Sequence, residues 1–141
     1  MPATAVLRLV DANANRALEG LRVCEDVVRF SLGSADAFHR IRALRHALAR
    51  AVRELPVSPQ ALVRSRQSRR DPGRRAPSGR VASLEQLLLI NLQRVKEALR
   101  TLEECARLIA PRQRASFQRL RFRTYEVERV LLLTLATVRH R

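Results

Sequence analysis

Seven amide or charged positions of the chain recur at one spacing. In DANANRALEGLRVCEDVVRF (residues 11–30) they are Asn13, Arg16, Glu19, Arg22, Glu25, Asp26 and Arg29. In NLQRVKEALRTLEECARL (91–108) they return 78 residues later as Asn91, Arg94, Glu97, Arg100, Glu103, Glu104 and Arg107. Guanidinium forks hold phosphate in bidentate fashion. Carboxylates hold Mg²⁺ or orient a hydroxyl. Converging at one bundle mouth, the two groups would suit phosphoryl transfer, where positioning and charge neutralisation supply most of the catalysis.

Helical spacing says where these residues point. At 3.6 residues per turn, Asn13 falls within the apolar stripe of Val6, Val10, Ala17, Leu21, Cys24 and Val28. Asn91 falls equally among Leu84, Leu88, Val95, Leu99, Leu102 and Ala106. A buried amide needs partners, so the two asparagines either form a polar layer that fixes helix register or meet a ligand. Gly20 shares that face, where its missing side chain permits close approach by a helix or a ligand, and its counterpart Ala98 is also small. Glu25 and Glu103 sit at one border of the stripe, Arg16 and Arg94 at the other. The remaining charges form a ladder at i,i+3 and i,i+4, as Glu19 to Arg22, Arg22 to Asp26 and Glu25 to Arg29, and again from Glu97 to Arg107. Each exposed pair of this kind contributes only about 0.2–0.5 kcal/mol, too little to require the repetition for stability.

The elements that must carry these residues are helices. Long Leu/Ala/Arg/Glu segments with one Tyr, four Phe and no Trp predict an all-α protein. A first helix should end at Leu32, with Gly33 beyond it and Ser34 capping a second over about 35–55. Residues 56–82, rich in Arg, Ser, Pro and Gly, read as a long loop with one short ALV turn. Ser83 and Gln86 form a capping-box signature for a third helix to about Ile109, and Pro111 suits the first turn of a fourth. FHRIR (38–42) also echoes FQRLR (117–121). The whole chain, 1–141, therefore reads as one domain: a four-helix bundle made of a duplicated helical hairpin (about 5–55 and 83–139) with an Arg-rich loop between the halves.

The formal net charge of +15 is almost wholly arginine, Lys96 being the single lysine, and would favour nucleic acid, acidic membranes or phosphorylated small molecules. Cys24 and Cys105 fall in apolar patterns and read as buried free thiols. His39, His46 and His140 show no ligand spacing. No stretch approaches the about 20 apolar residues of a spanning helix, so the reading is a soluble cytoplasmic protein. There is no Walker-type or kinase glycine-rich loop.

The first segment resembles the D-A-N-x-N-R-x-x-E-G-L-R-V-x-E-D-x-x-R-F signature of a small helical family of thiamin biosynthesis, and INLQRVKEALRTLEECARL resembles that family's second segment. With RALRHAL and LRFRTYEVE the resemblance covers essentially the whole chain. That family occurs alone or fused ahead of a thiamin-phosphate synthase barrel, and is proposed to act as an alternative hydroxymethylpyrimidine phosphate kinase. The chain ends with the fourth helix, so no barrel is expected within it. The resemblance implies phosphorylation of a phosphorylated pyrimidine substrate to the diphosphate, with ATP and Mg²⁺. It implies Glu19, Glu25, Asp26, Glu97 and Glu103 as catalytic residues. Asn13, Asn15, Arg16, Arg22, Arg66, Asn91, Arg94 and Arg100 would bind substrate and phosphate, the asparagines at the pyrimidine edge. Asp11, Glu25 and Asp71 would hold the metal. In the loop, RQSRRDPGR keeps Arg66, Asp71 and Gly73 of an approximate R-D-x-x-x-D-V-G-T pattern, but Gln67 replaces its first Asp.

A kinase of this kind should have a polar cavity between the first and third helices, with Asn13 and Asn91 facing each other. One alternative is a non-catalytic partner of thiamin-phosphate synthase, which Gln67 favours. Another is a basic module for nucleic acid, disfavoured because helix-turn-helix spacing and interleaved aromatics are missing. VLLLTLATV (130–138) is apolar on more than one face and would suit a homodimer.

Overall fold

The structure, a computed structural model, describes residues 3–139, with side chains as far as residue 136; His140 lies outside them. They form helices and turns, with no strand among the described residues. α1 (Thr4–Val27) widens into a π-helical turn at Val28–Leu32 and stops at Gly33. The φ of 63° there is left-handed, a conformation that costs glycine nothing. Ser34 then accepts the Ala37 amide and opens α2 (Ala35–Arg53).

The segment 56–82 is not the uninterrupted loop expected from its composition. Ser58 caps the amide of Ala61, Pro59 occupies the first helical turn, and α3 (Pro59–Ser65) forms and packs against α1. The apolar ALV triplet explains this: one turn is enough to bury Leu62. A 3₁₀ turn follows at Ser68–Arg70. Ser83 caps α4 (Leu84–Ile109) through the Gln86 amide, while the Gln86 side chain reaches one residue farther back than a capping box, to the Ala82 N–H. Pro111 begins a separate 3₁₀ turn (Pro111–Gln113) ahead of α5 (Arg114–Arg139), rather than the helix itself.

The four long helices pack in a ring, α1 against α2 and α4, and α5 against α2 and α4. The stripes read from the spacing do face inward: Val10, Ala17, Leu21, Cys24 and Val28 meet Leu88, Val95, Leu99, Leu102 and Ala106 in one core with Ile41, Leu44, Leu48, Phe117 and Leu131. Leu84, expected in the stripe of α4, is half exposed in its first turn. No described helix is long and apolar enough to cross a membrane.

α1 and α4 run antiparallel, since Gly20 faces Asn91 and Val95 while Cys24, farther along α1, reaches the Leu88 carbonyl. The space at Gly20 is taken by a helix and not reserved for a ligand. A Cβ there would stand 2.8 Å from Val95 Cγ2 and 3.3 Å from the Asn91 carbonyl oxygen. Overfilling a packed contact costs about 1–3 kcal/mol. Gly20→Val is therefore expected to lower thermal stability by about that amount, seen as a melting transition several degrees lower by circular dichroism; an unchanged midpoint would contradict this close approach.

Candidate functional site

A groove of about 600 Å³ runs between α1 and α4, lined by Asn13, Arg16, Glu19, Gly20 and Val23 on one side and Asn91, Arg94, Glu97, Ala98 and Thr101 on the other. Each member of the first set is matched in the second by the residue 78 positions later. A polar cavity thus lies where the spacing put it. The asparagines do not face each other, however. The antiparallel register sets Asn91 beside Gly20 and Asn13 near Thr101, on the order of 13 Å apart along the groove at 1.5 Å per residue. The same register brings Arg16 about level with Glu97, and Arg94 about level with Glu19.

The repeated polar residues divide into three groups according to their neighbours. The first lines the groove. Asn13 and Asn91, 5% and 8% exposed, each spend their amide N–H₂ on the carbonyl four residues back, Leu9 and Leu87 at 2.9 Å. Their amide oxygens find no donor among the described residues. Nor do the side chains of Arg16, Arg94, Glu19 and Glu97, all exposed, form a hydrogen bond or ion pair there. Glu19 and Glu97 therefore stand outside the ladder in which the spacing placed them.

The second group is buried and already paired. Glu25, 3% exposed, takes the Arg45 guanidinium in bidentate fashion at 2.7 and 3.2 Å. Glu103, 4% exposed, does the same with Arg121 at 2.9 and 3.4 Å, with Arg114 beside it. Burial alone would raise the Glu25 carboxyl. The Arg45 fork, with Arg22 and Arg42 adding positive charge, outweighs burial and holds it below the ordinary carboxylate range. Glu103 in turn pushes the Arg121 guanidinium up, helped by its bond to Tyr125. Neither glutamate lines the groove. Their arginine partners were not picked out from sequence: the FHRIR and FQRLR echo matches Arg42 with Arg121, whereas Arg45, one turn farther along α2, is the residue that reaches Glu25.

The third group is the surface ladder. Arg22 pairs with Asp26 at 3.7 Å, Arg100 with Glu104 at 3.4 Å and Arg107 with Glu104 at 2.8 Å, all well solvated. Arg29 instead stacks on the Phe30 and Phe38 rings.

At the N-terminal end of α1 a second groove, about 420 Å³, shares Asn13 and Arg16 with the first and adds Arg8, Asp11, Asn15, Arg66, Gln67, Ser68 and Asp71. Arg66 reaches over from the turn after α3 and grips Asp11 through two bonds of 2.8 and 2.9 Å, which raise the arginine's affinity for its proton. Asn15 donates weakly to the same Asp11 carboxylate at 3.5 Å. Asp71 lies nearby, its Oδ1 accepting the Gly73 amide. The three acids expected to hold a metal are not together. Asp11 and Asp71 share this groove, but Glu25 lies fourteen residues along α1, about 21 Å from Asp11, and no group of three or more His, Cys, Asp or Glu converges among the described residues. The useful sequence signal here was Arg66, a retained residue of the loop pattern; its pairing with Asp11, 55 positions away, was not readable.

Both cysteines are buried and free, as expected. Burial pushes the Cys24 thiol up to about 12, and its Sγ lies 3.7 Å from the Leu88 carbonyl oxygen. Burial also raises the Cys105 thiol, and Glu104 adds to the effect.

A family model described as the ThiD2 family matches residues 8–130 of the chain. A protein named thiamine-phosphate synthase from Synechocystis sp. is 39% identical over 132 residues, which are 92% of this chain and 37% of that protein. Proteins of the same name from Gloeobacter violaceus and Rhodopirellula baltica are 36% and 35% identical, covering 87% and 93% of this chain and 35% of each relative. The chain thus spans little more than a third of the length of these relatives. No solved structure matches it.

Two expectations follow from the buried groups. Glu25→Gln leaves the Arg45 fork without its charge partner and should cost about 1.5–3 kcal/mol of stability at pH 7. Because the folded carboxyl titrates below its unfolded value of about 4.3, this contribution is present above that pH and lost as pH falls through the lower folded value. Urea melts of the two proteins should therefore differ at pH 7 and draw together as the pH is lowered below about 4. Neither cysteine should react with a thiol reagent at pH 8 until the protein is unfolded; rapid labelling of the native protein would contradict their burial.

Proposed function

Because the chain belongs to the ThiD2 family, and its relatives carry a name from thiamin biosynthesis, we propose that within that pathway it phosphorylates hydroxymethylpyrimidine phosphate to the diphosphate at the expense of ATP. The single observation that carries this reading is the α1–α4 groove, where two arginines and two glutamates stand without a partner among the described residues and two asparagines keep only their amide oxygens free. In the reaction, an oxygen of the acceptor's phosphate attacks the γ-phosphorus of ATP. The bond from that phosphorus to the β-phosphate oxygen breaks, ADP leaves, and the acceptor becomes a diphosphate. Both reactants are anions, so holding them together is the larger part of the task. Arg16 and Arg94 supply the charge and the bidentate donors for that. The amide oxygens of Asn13 and Asn91 accept from an amino group on a heterocycle's edge.

Mg²⁺ fits this donor set in one form. It binds through one or two carboxylates with phosphates and water completing its shell, and it offsets charge on the transferred group. Glu19 and Glu97 are the carboxylates free to hold it, because Glu25 and Glu103 are committed to Arg45 and Arg121, and Asp11 to Arg66.

A second reading, a non-catalytic partner of thiamine-phosphate synthase, is favoured by Gln67, which stands beside Arg66 in the second groove where the family pattern has an acid. One assay separates the two. With Mg·ATP and hydroxymethylpyrimidine phosphate, the protein should release the diphosphate. Arg16→Ala and Glu19→Gln should each lower turnover about 100-fold without moving the melting temperature, whereas Glu25→Gln should lower the melting temperature and leave turnover within a few-fold below it. A substrate that raises the melting temperature with no product formed would move the assignment to the partner.

A further inference from the structure

The groove between α1 and α4 is lined by two copies of one residue pattern, and we infer that it holds two phosphate groups at once, a nucleotide's terminal phosphate on Arg16 and the phosphorylated pyrimidine on Arg94. This inference rests on the kinase reading above and assigns its two ligands to places.

The first support is equivalence. Arg16 and Arg94 are both exposed in the groove, neither has a partner among the described residues, and each comes about level with a free glutamate on the opposite helix. One phosphorylated molecule would use one such half and leave the other idle. The second support is spacing. With Gly20 facing Asn91 and Val95, the two arginines stand about three residues apart along the groove axis, on the order of 4.5 Å of helix rise. Two long guanidinium side chains rooted at nearly the same level on facing helices, whose axes pack about 8–10 Å apart, can reach adjacent phosphates, the arrangement that making a phosphate-to-phosphate bond requires.

The halves differ in what surrounds the arginine, and this difference selects the ligand. The Arg16 half opens into the second groove, where Arg8, Ser68 and the Nη1 of Arg66, whose Nε and Nη2 are held by Asp11, extend the polar surface. A polyphosphate chain needs such a run of donors. The Arg94 half has Val23 in its wall where the Arg16 half has Thr101, and the hollow at the start of α4 is lined by Leu89 and Ile90 where the second groove has Asp11 and Ala12. An apolar wall suits the face and methyl group of a small pyrimidine.

The test is titration calorimetry of the full chain with two probes given separately, hydroxymethylpyrimidine phosphate and the Mg²⁺ complex of the non-hydrolysable β,γ-imido analogue of ATP. Arg94→Ala should weaken the pyrimidine at least about 10-fold and the nucleotide less than about 3-fold; Arg16→Ala should do the reverse. Both substitutions remove exposed, unpaired side chains, so unchanged melting curves are expected to certify the fold. Equal loss of both ligands in both variants would mean one shared site and would overturn the inference, as would the opposite assignment or no effect in either variant. In each of those cases turnover by the unmodified protein would leave the kinase reading standing. If the unmodified protein binds neither probe, the kinase reading falls and the inference with it.

Discussion

The close approach of α1 and α4 at Gly20 is the constraint on which the rest of the molecule depends. With hydrogen in place of a side chain, the helix surface meets Val95 and the Asn91 carbonyl directly. Two helices that touch along their small residues must splay their larger ones to either side. On the inner side those are the leucines and valines of the core, and on the outer side they are the asparagines, arginines and glutamates of the groove. A wider spacing at Gly20 would let water into the seam between the helices and draw Arg16 and Arg94 away from the glutamates opposite.

Around that contact the protein uses similar residues for different purposes. Four glutamates stand at repeated positions of α1 and α4, and their fates differ with burial. Glu25 and Glu103 have lost nearly all contact with water, so each requires an arginine fork from the next helix, Arg45 on α2 and Arg121 on α5. A charge taken from water without such a partner would be far too costly to keep. These two pairs tie α2 to α1 and α5 to α4, one in each half of the chain. Glu19 and Glu97 remain in solvent, where a carboxylate needs no protein partner and stays available to a ligand. The arginines follow the same division, with Arg45 and Arg121 structural and Arg16 and Arg94 unengaged.

The segment between the halves breaks the symmetry. Leu62 gives α3 enough apolar surface to dock on α1, and Arg66 then closes on Asp11. No matching ion pair forms at the corresponding end of α4 among the described residues, position 89 being a leucine instead of an aspartate. The groove is nearly two-fold in its lining and one-sided in its surroundings, and this short connection supplies Arg66, Gln67, Ser68 and Asp71 at one end.

The sequence by itself determined the all-α class, the Ser34 and Ser83 starts of α2 and α4, the Gly33 stop and the face that each of α1 and α4 buries, because capping, glycine stops and 3.6-residue periodicity are local properties carried by neighbouring residues. It also singled out the residues of the groove, since a repeat at fixed offset is visible in the letters. It did not separate that groove from the buried ion pairs beside it. Glu19 and Glu25 are the same residue type about 120° apart on one helix, and although the spacing set Glu25 at the border of the apolar stripe, it did not show that α2 brings Arg45 onto Glu25 and nothing onto Glu19, which makes one structural and leaves the other free. The pairing of Asp11 with Arg66 and the offset of Asn13 from Asn91 were decided by tertiary structure for the same reason: they depend on how helices far apart in the chain slide and turn against one another, and that register is fixed by the whole core.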